Sequence, residues 1–173
     1  MQTKNGGVGK TTTALNLGVG LSKSGKKVLL VDADPQGDLT TCLGIRNQDE
    51  LKTTLGTVLE KVMKNERLEN NNPIIHHSEG VDLIPSNIDL EAVEMGLINV
   101  MSREYVLKTY LEEIKKQYDY VIIDCRPSLS MITINALACS DSVIIPVQAH
   151  YLSAKRNDTT YSNYKFSKKT NKP

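Results

Sequence analysis

The 173-residue chain has a net charge of +1, from 21 Lys and Arg residues and 20 Asp and Glu residues. Its length and its hydrophobic content of 39% fit one soluble globular domain, and no apolar run approaches the ~20 residues of a membrane-spanning helix. The three cysteines are an odd number and widely spaced, and the N-terminus does not resemble a signal peptide, so the composition favours a reducing cytoplasm over a secreted disulfide scaffold.

A glycine-rich stretch at residues 4–12 has the spacing of a phosphate-binding loop, G-x-x-x-x-G-K-[ST], except that Lys4 stands in the place of the first glycine. Its glycines let the backbone approach a phosphate and turn N–H groups toward it. Lys10 would then reach the β- and γ-phosphates, and the Thr11 hydroxyl would ligate Mg²⁺. The alternative is a glycine-rich turn before a helix. The residues predicted to surround a nucleotide are Gly6, Gly7, Val8, Gly9, Lys10, Thr11 and Thr12.

A helix and a strand are predicted directly after this stretch. Apolar residues at helical spacing predict a helix from Lys10 to about Ser24, with Gly25 as its stop. Such a helix would point the positive end of its dipole at a phosphate bound by the loop. The next run, residues 27–32, is continuous and apolar, which is typical of a buried parallel strand.

Two aspartates lie where this strand is predicted to end. Ligands of open parallel sheets bind at the carboxyl ends of the strands, so Asp32 and Asp34 are expected beside the phosphate loop. A carboxylate in that place can hold Mg²⁺ through water or orient an attacking water. The alternative is an Asp-rich turn that Pro35 and Gly37 bring to an end.

The middle of the chain predicts further helices and one strand. Apolar residues within 55–62 indicate an amphipathic helix, and residues 81–85 indicate a short strand. Residues 86–89 resemble a capping box that opens a helical region reaching residue 101. A second helix, at 103–117, has an apolar stripe that is expected to pack in the core.

Two later apolar runs extend the predicted sheet. The run at 120–124 ends with Asp124, a Walker B pattern in which the carboxylate faces Mg²⁺ at the edge of the sheet. The run at 142–147 is predicted to be another buried strand. The order of these elements after a phosphate loop predicts an α/β, P-loop NTPase-like fold, with a mostly parallel sheet and helices on both faces.

Several ordered stretches resemble the ParA/Soj partition ATPases, which belong to the deviant Walker A group together with MinD. The resemblance implies ATP and Mg²⁺ as cofactors and slow hydrolysis of the γ-phosphate by water. It implies catalytic roles for Lys10 and Asp34. It also implies metal-side positions for Thr11 and Asp124, and a structural or metal-side position for Asp32 beside Asp34. The stretches that carry it are 6–18, 31–37, 84–90, 119–124, 133–137 and 141–148.

The resemblance also implies parts that this sequence does not contain. The family has a central strand immediately before the phosphate loop, and a last third with the adenine pocket and much of the DNA-contacting surface. We therefore expect a fold incomplete at both ends, with a partial ATPase domain at 1–154 and a disordered tail at 155–173. The tail has six Lys and Arg against one Asp, so its +5 leaves −4 for the rest of the chain. Non-specific DNA binding is accordingly expected to be weak or absent.

Two residues depart from the family pattern. Asn5 holds the place of the signature lysine, which in the family reaches the partner's phosphates across an ATP-sandwiched dimer, and Lys4 lies one residue earlier. Arg126 replaces the first of two prolines in the loop after the Walker B strand, which would place a cation near the site.

Three functions remain open at this point. The leading one is a cytoplasmic ParA-like ATPase of plasmid or chromosome partitioning, which forms an ATP-dependent homodimer, works with a ParB-like partner and needs no membrane. The second is a truncated nucleotide-binding fragment that does not hydrolyse ATP. The third is a MinD-like membrane-cycling ATPase, which is less favoured because the tail has no apolar helical face.

Overall fold

Strand β1 (Val28–Ala33) is the centre of the structure, a computed structural model that describes residues 8–66 and 73–147. It pairs in parallel with β3 (Asp82–Ile84) on one side and with β4 (Tyr120–Cys125) on the other. The two-residue strand β2 (Ile75–His76) pairs antiparallel with β3, so the strand order is β2-β3-β1-β4. All residues of β1 are buried because helices cover both of its faces. The mostly parallel α/β sheet predicted from the sequence is confirmed.

Six α-helices and three 3₁₀ turns lie within the described ranges. None of these helices is long and apolar enough to cross a membrane. The helices are α1 (Lys10–Lys23), α2 (Asp38–Cys42), α3 (Leu55–Met63), α4 (Leu90–Leu97), α5 (Val106–Ile114) and α6 (Met131–Cys139). The 3₁₀ turns span Gln48–Glu50, Arg103–Tyr105 and Lys115–Gln117.

The side chains of β1 alternate between two hydrophobic cores. Leu29 and Val31 point into a large core that they share with α3, α4, α5 and α6. Val28 and Leu30 point into a smaller core under α1 and α2. Since successive strand residues face opposite sides, even-numbered residues at the end of β1 face α1 and α2. This alternation decides which carboxylates can meet the start of α1.

Two glycines fit α1 onto the sheet. Gly9 has φ +81°, a left-handed conformation that L side chains rarely adopt, and its carbonyl accepts the first helical hydrogen bond from the Thr13 N–H at 2.8 Å. Gly18 is buried against the strand, and a Cβ built there would lie 2.7 Å from Cδ2 of Leu30. The helix therefore packs closer to β1 than a larger residue would allow.

Most of the predicted elements are confirmed. The helix expected at 10–24 is α1, and the helix expected at 55–62 is α3. The strands expected near 27–32, 81–85 and 120–124 are β1, β3 and β4. The region expected to be helical up to residue 101 ends earlier, at Leu97. The helix expected at 103–117 is α5 with a 3₁₀ turn at each end.

The predicted capping box at 86–89 is wrong. Helix α4 begins only at Leu90, with Asp89 at its N-cap, and no side chain caps it among the described residues. The N–H of Ser86 instead donates a hydrogen bond to Oγ1 of Thr40, at 3.0 Å. The chain after β3 is therefore tied to α2 before α4 begins.

The strand predicted at 142–147 is also wrong. These residues adopt no strand, and Ile144 and Val147 are 65% and 55% exposed. An apolar run becomes a strand only where a neighbouring strand satisfies its backbone. In the described part of the chain β4 is the last strand of the sheet, and its first residue, Tyr120, is 45% exposed.

Some expectations fall on residues outside the described ranges. Residues 1–7 contain Asn5 and the place of the expected central strand, and residues 148–173 contain the polar basic tail. The division into a domain at 1–154 and a tail at 155–173 stays a prediction.

Candidate nucleotide-binding site

The start of α1 is an uncapped helix N-terminus next to the phosphate-loop sequence. Gly9 occupies the N-cap, and no side-chain capping hydrogen bond is formed there among the described residues. The first turn, which begins at Lys10, contains no acidic residue. Its N–H groups and the positive end of the helix dipole are therefore suited to an anion. Val8 and Gly9 lie in the described range, whereas Gly6 and Gly7 lie outside it.

The carboxylate of Asp124 meets this helix at its first turn. The Thr11 side chain and the Lys10 ammonium lie near this carboxylate and favour its ionised form. Burial at the end of β4 nevertheless raises the pKa of Asp124 above its ordinary value, because Thr11 and the Lys10 charge only partly oppose that rise. The nearby negative charges of Asp34 and Asp38 raise this pKa further. The fold thus brings three predicted site residues, Lys10, Thr11 and Asp124, into one cluster.

The oxygen atoms of this cluster fit Mg²⁺ better than a transition metal. Mg²⁺ prefers oxygen ligands, keeps several waters, and is usually held by one or two carboxylates together with substrate phosphates. Thr11 and Asp124 supply a hydroxyl and a carboxylate that lie near each other. Among the described residues there is no group of three His, Cys, Asp or Glu side chains able to hold a metal by themselves. The protein ligands would therefore be completed by phosphate and water.

Asp32, which was expected to be a structural or metal-side neighbour of Asp34, has a different environment from Asp124. It is fully buried. Its Oδ2 accepts hydrogen bonds from the N–H and the hydroxyl of Thr40, at 2.8 and 2.7 Å, and its Oδ1 accepts from the N–H of Asp34 at 3.2 Å. Burial raises the pKa of Asp32 to about 6, and these hydrogen bonds oppose the rise. Through these contacts Asp32 fixes the start of α2 to the end of β1, which agrees with the structural alternative, while a metal-side role of Asp32 stays a prediction.

Asp34 lies in the turn after β1 and is half-buried. Its Oδ1 accepts a hydrogen bond from the N–H of Gln36 at 3.0 Å, and its carbonyl accepts from the N–H of Gly37 at 2.9 Å. These contacts are those of an Asx turn, and its charge also acts on Asp124. The turn alternative and the site alternative are thus compatible, and the role of Asp34 in orienting water stays a prediction.

The Arg126 guanidinium, which was expected near the candidate nucleotide-binding site, points toward α4 instead. The guanidinium of Arg126 lies 3.5 Å from Oε2 of Glu94 and 3.6 Å from Oε1 of Glu91, both on α4. Helix α4 packs on the face of the sheet opposite to α1. Side-chain direction after a strand end depends on how the chain turns, which the sequence did not reveal.

Thr40 is a residue that the sequence analysis did not single out. It is fully buried, donates to Asp32 and accepts from the N–H of Ser86, so it joins the ends of β1 and β3. A threonine in a short helix has no distinctive spacing, and only the tertiary contact with Asp32 reveals its importance.

The comparisons with known proteins agree with this geometry. The sequence model of the AAA domain family matches residues 1–172. The chain is 46% identical to the sporulation initiation inhibitor protein Soj of Bacillus subtilis over 153 residues, which is 86% of this chain and 56% of Soj. It spans about half the length of the curated relatives it matches.

Two solved structures have closely similar folds. One is a plasmid partition protein from Borrelia burgdorferi, with a TM-score of 0.81, 32% identity, and coverage of 95% of this chain and 71% of that one. The other is cobyrinic acid a,c-diamide synthase from Mycobacterium smegmatis with a bound ATP analogue and magnesium, with a TM-score of 0.80, 36% identity, and coverage of 96% and 67%.

Proposed function

Because the chain belongs to the AAA domain family and, within it, to the ParA/Soj-type partition ATPases, we propose that it binds ATP together with Mg²⁺ and acts in plasmid or chromosome partitioning. The observation that carries the proposal is the juxtaposition of Lys10 and Thr11, in the first turn of α1, with Asp124 at the end of β4. The phosphate-loop helix and the Walker B strand thus meet at one point.

The residues of the cluster suggest a division of roles. The N–H groups of residues 8–12 and the Lys10 ammonium would bind the phosphates and stabilise negative charge on them. Thr11 and Asp124 would hold Mg²⁺, which when bound neutralises charge on the β- and γ-phosphates. Asp34 would orient the attacking water for slow hydrolysis. Asp32 would support the site through Thr40.

The remaining assignments follow from the family and from charge. We propose an ATP-dependent homodimer, a ParB-like partner and a cytoplasmic location. The residues outside the tail sum to −4, so we propose that DNA binding by this chain is weak and depends on the basic tail.

A second candidate function is favoured by Asn5. A nucleotide-binding protein without turnover fits a chain in which an uncharged amide replaces the signature lysine of the family, because a cation acting in trans contributes ~10³–10⁵ in rate in related systems. Asn5→Lys, with Lys4→Ala as its comparison, separates the candidates by sedimentation and phosphate release. Increased dimer fraction and turnover in Asn5→Lys would assign the missing activity to this position.

The central experiment measures nucleotide binding and phosphate release by the 173-residue chain. A fluorescent ATP analogue is titrated with and without Mg²⁺, for the wild type, Lys10→Ala and the exposed-lysine control Lys26→Ala. Loss of a charge-assisted hydrogen bond, about 1.5–3 kcal/mol, predicts an affinity at least about tenfold lower for Lys10→Ala only. Equal binding by all three proteins would contradict the proposed site.

A further inference from the structure

The loop that follows Asp124 is tied to a helix on the far side of the sheet. Strand β4 ends at Cys125, the chain turns, and the Arg126 guanidinium reaches Glu94 and Glu91 of α4 at 3.5 and 3.6 Å. Asp124 faces α1, whereas α4 belongs to the core on the opposite face. Arg126 therefore links the strand end that carries the candidate Mg²⁺ ligand to the other layer of the fold.

Glu94 holds both ends of the same loop. Its Oε2 pairs with Arg126, where the loop begins, and its Oε1 accepts a hydrogen bond of 3.4 Å from the N–H of Ile132, where α6 begins. The loop end is further fixed by Ser130, whose Oγ accepts from the N–H of Thr133 at 3.3 Å. One carboxylate thus spans the segment between β4 and α6.

The two ion pairs differ in their shielding from water. The side chains of Arg126 and Glu94 are 24% and 16% exposed, whereas that of Glu91 is 52% exposed. Exposed ion pairs contribute little because water and salt screen them, and shielded pairs are screened less. The pair with Glu94 is therefore the one expected to constrain the loop.

We propose that Arg126 and Glu94 are positioning residues, which fix the loop after β4 and thereby hold the Asp124 carboxylate against Thr11 in the geometry that binds Mg²⁺. This inference rests on the proposed function, since it concerns the same Mg-nucleotide site. Arg126 replaces a proline of the family pattern, and a proline ring restrains the backbone of a loop by fixing φ. In this chain the ion pair of Arg126 would restrain the loop in place of that ring.

The test uses the 173-residue chain and the variants Arg126→Ala, Arg126→Lys and Glu94→Gln, with the exposed Arg46→Ala as a matched control. The first readout is the Mg²⁺ concentration that half-saturates binding of a fluorescent ATP analogue, compared with the affinity for the analogue in EDTA. The second is hydrogen exchange of the amides at 125–132 without nucleotide, which does not depend on ATP binding.

We expect Arg126→Ala and Glu94→Gln to raise the half-saturating Mg²⁺ concentration about threefold to tenfold, leave the affinity in EDTA unchanged, and speed exchange at 125–132. Arg126→Lys should restore part of the Mg²⁺ affinity and part of the protection from exchange, and Arg46→Ala should match the wild type.

Equal losses of affinity with and without Mg²⁺ would indicate a general structural role and overturn the inference. Unchanged exchange in both Arg126→Ala and Glu94→Gln would overturn it as well. A wild type that binds no nucleotide would contradict the proposed function, and the exchange data would then decide the loop restraint by themselves.

Discussion

Asp32 and Asp124 occupy paired register positions on the adjacent parallel strands β1 and β4. Both carboxylates therefore lie on the face of the sheet that α1 and α2 cover. Their surroundings differ, because Asp32 accepts hydrogen bonds from Thr40 and Asp34, whereas Asp124 lies near Thr11 and Lys10 at the start of α1. Two aspartates at paired strand positions thus have different partners, from which we expect a structural role for Asp32 and a metal-side role for Asp124.

Replacement of Asp124 by Asn should separate binding from stability. The change removes the charge and keeps the volume, so Mg²⁺ should no longer tighten the binding of a nucleotide. Burial raises the pKa of Asp124, which means that its ionised form is disfavoured in the folded protein. The urea midpoint at pH 7 should therefore be equal to or higher than that of the wild type. A clear loss of stability together with intact Mg²⁺ dependence would contradict the assignment.

Asp32 should make stability fall as pH rises through the acid range. Its folded pKa is about 6 against an ordinary value of 3.8, so between these values the folded protein binds a proton that the unfolded chain does not. The contribution of Asp32 to the unfolding free energy is then fully present below about pH 4. It decreases between about pH 4 and pH 6, by up to about 3 kcal/mol in total, and does not change further at higher pH.

The measurement for Asp32 is a difference between two proteins. Asn does not titrate, so the unfolding free energy of the wild type minus that of Asp32→Asn, from urea curves at several pH values, isolates this group. The difference should decrease from pH 4 to pH 6.5, on top of a constant offset from the altered hydrogen bonds to Thr40. A flat or rising difference would refute the assignment.

The Thr40 hydroxyl should matter for stability more than that of its neighbour. Thr40→Val keeps the shape but removes the donor to Asp32 and the acceptor for the N–H of Ser86, which leaves two buried groups without that partner. The expected loss is about 1–3 kcal/mol of unfolding free energy. Thr41→Val, at an exposed position of the same helix, is the control and should change little. Equal effects of the two changes would contradict the proposed junction.

The sequence predicted the fold best where local pattern and tertiary context agree. The runs that became β1 and β4 are apolar and pair with each other in register over six residues. The equally apolar run at 142–147 was also predicted to be a strand, but it formed none. The hydrophobic pattern indicates which residues a segment can bury, but it does not indicate whether a neighbouring strand is present to pair with it.

The candidate site was also predicted best where a local sequence pattern and the tertiary structure agree. The spacing of the phosphate loop placed Lys10 and Thr11 correctly at a helix start, and the strand ends brought Asp124 to them. The direction of Arg126 and the contact between Thr40 and Asp32 arise from chain turns and from packing between distant segments, which one sequence does not encode in any local pattern.

Two glycines of α1 should respond to alanine with opposite signs. At Gly20 a Cβ would meet no atom within 4 Å, so Gly20→Ala should stabilise the helix by about 1 kcal/mol through helix propensity alone. At Gly18 a Cβ would lie 2.7 Å from Cδ2 of the fully buried Leu30, so Gly18→Ala must displace that side chain or the helix. Overpacking of this kind costs about 1–3 kcal/mol, which outweighs the gain in propensity.

The variants Gly18→Ala and Gly20→Ala also test whether the close packing of α1 on β1 positions the phosphate loop. Because α1 carries Lys10 and Thr11 in its first turn, a shift of the helix away from Leu30 should weaken nucleotide binding by Gly18→Ala and leave that of Gly20→Ala unchanged. Urea midpoints and titrations with a fluorescent ATP analogue measure both effects on the same proteins. If Gly18→Ala were as stable as Gly20→Ala, Leu30 would yield without cost, and the close contact between helix and strand would not be what holds the loop in place.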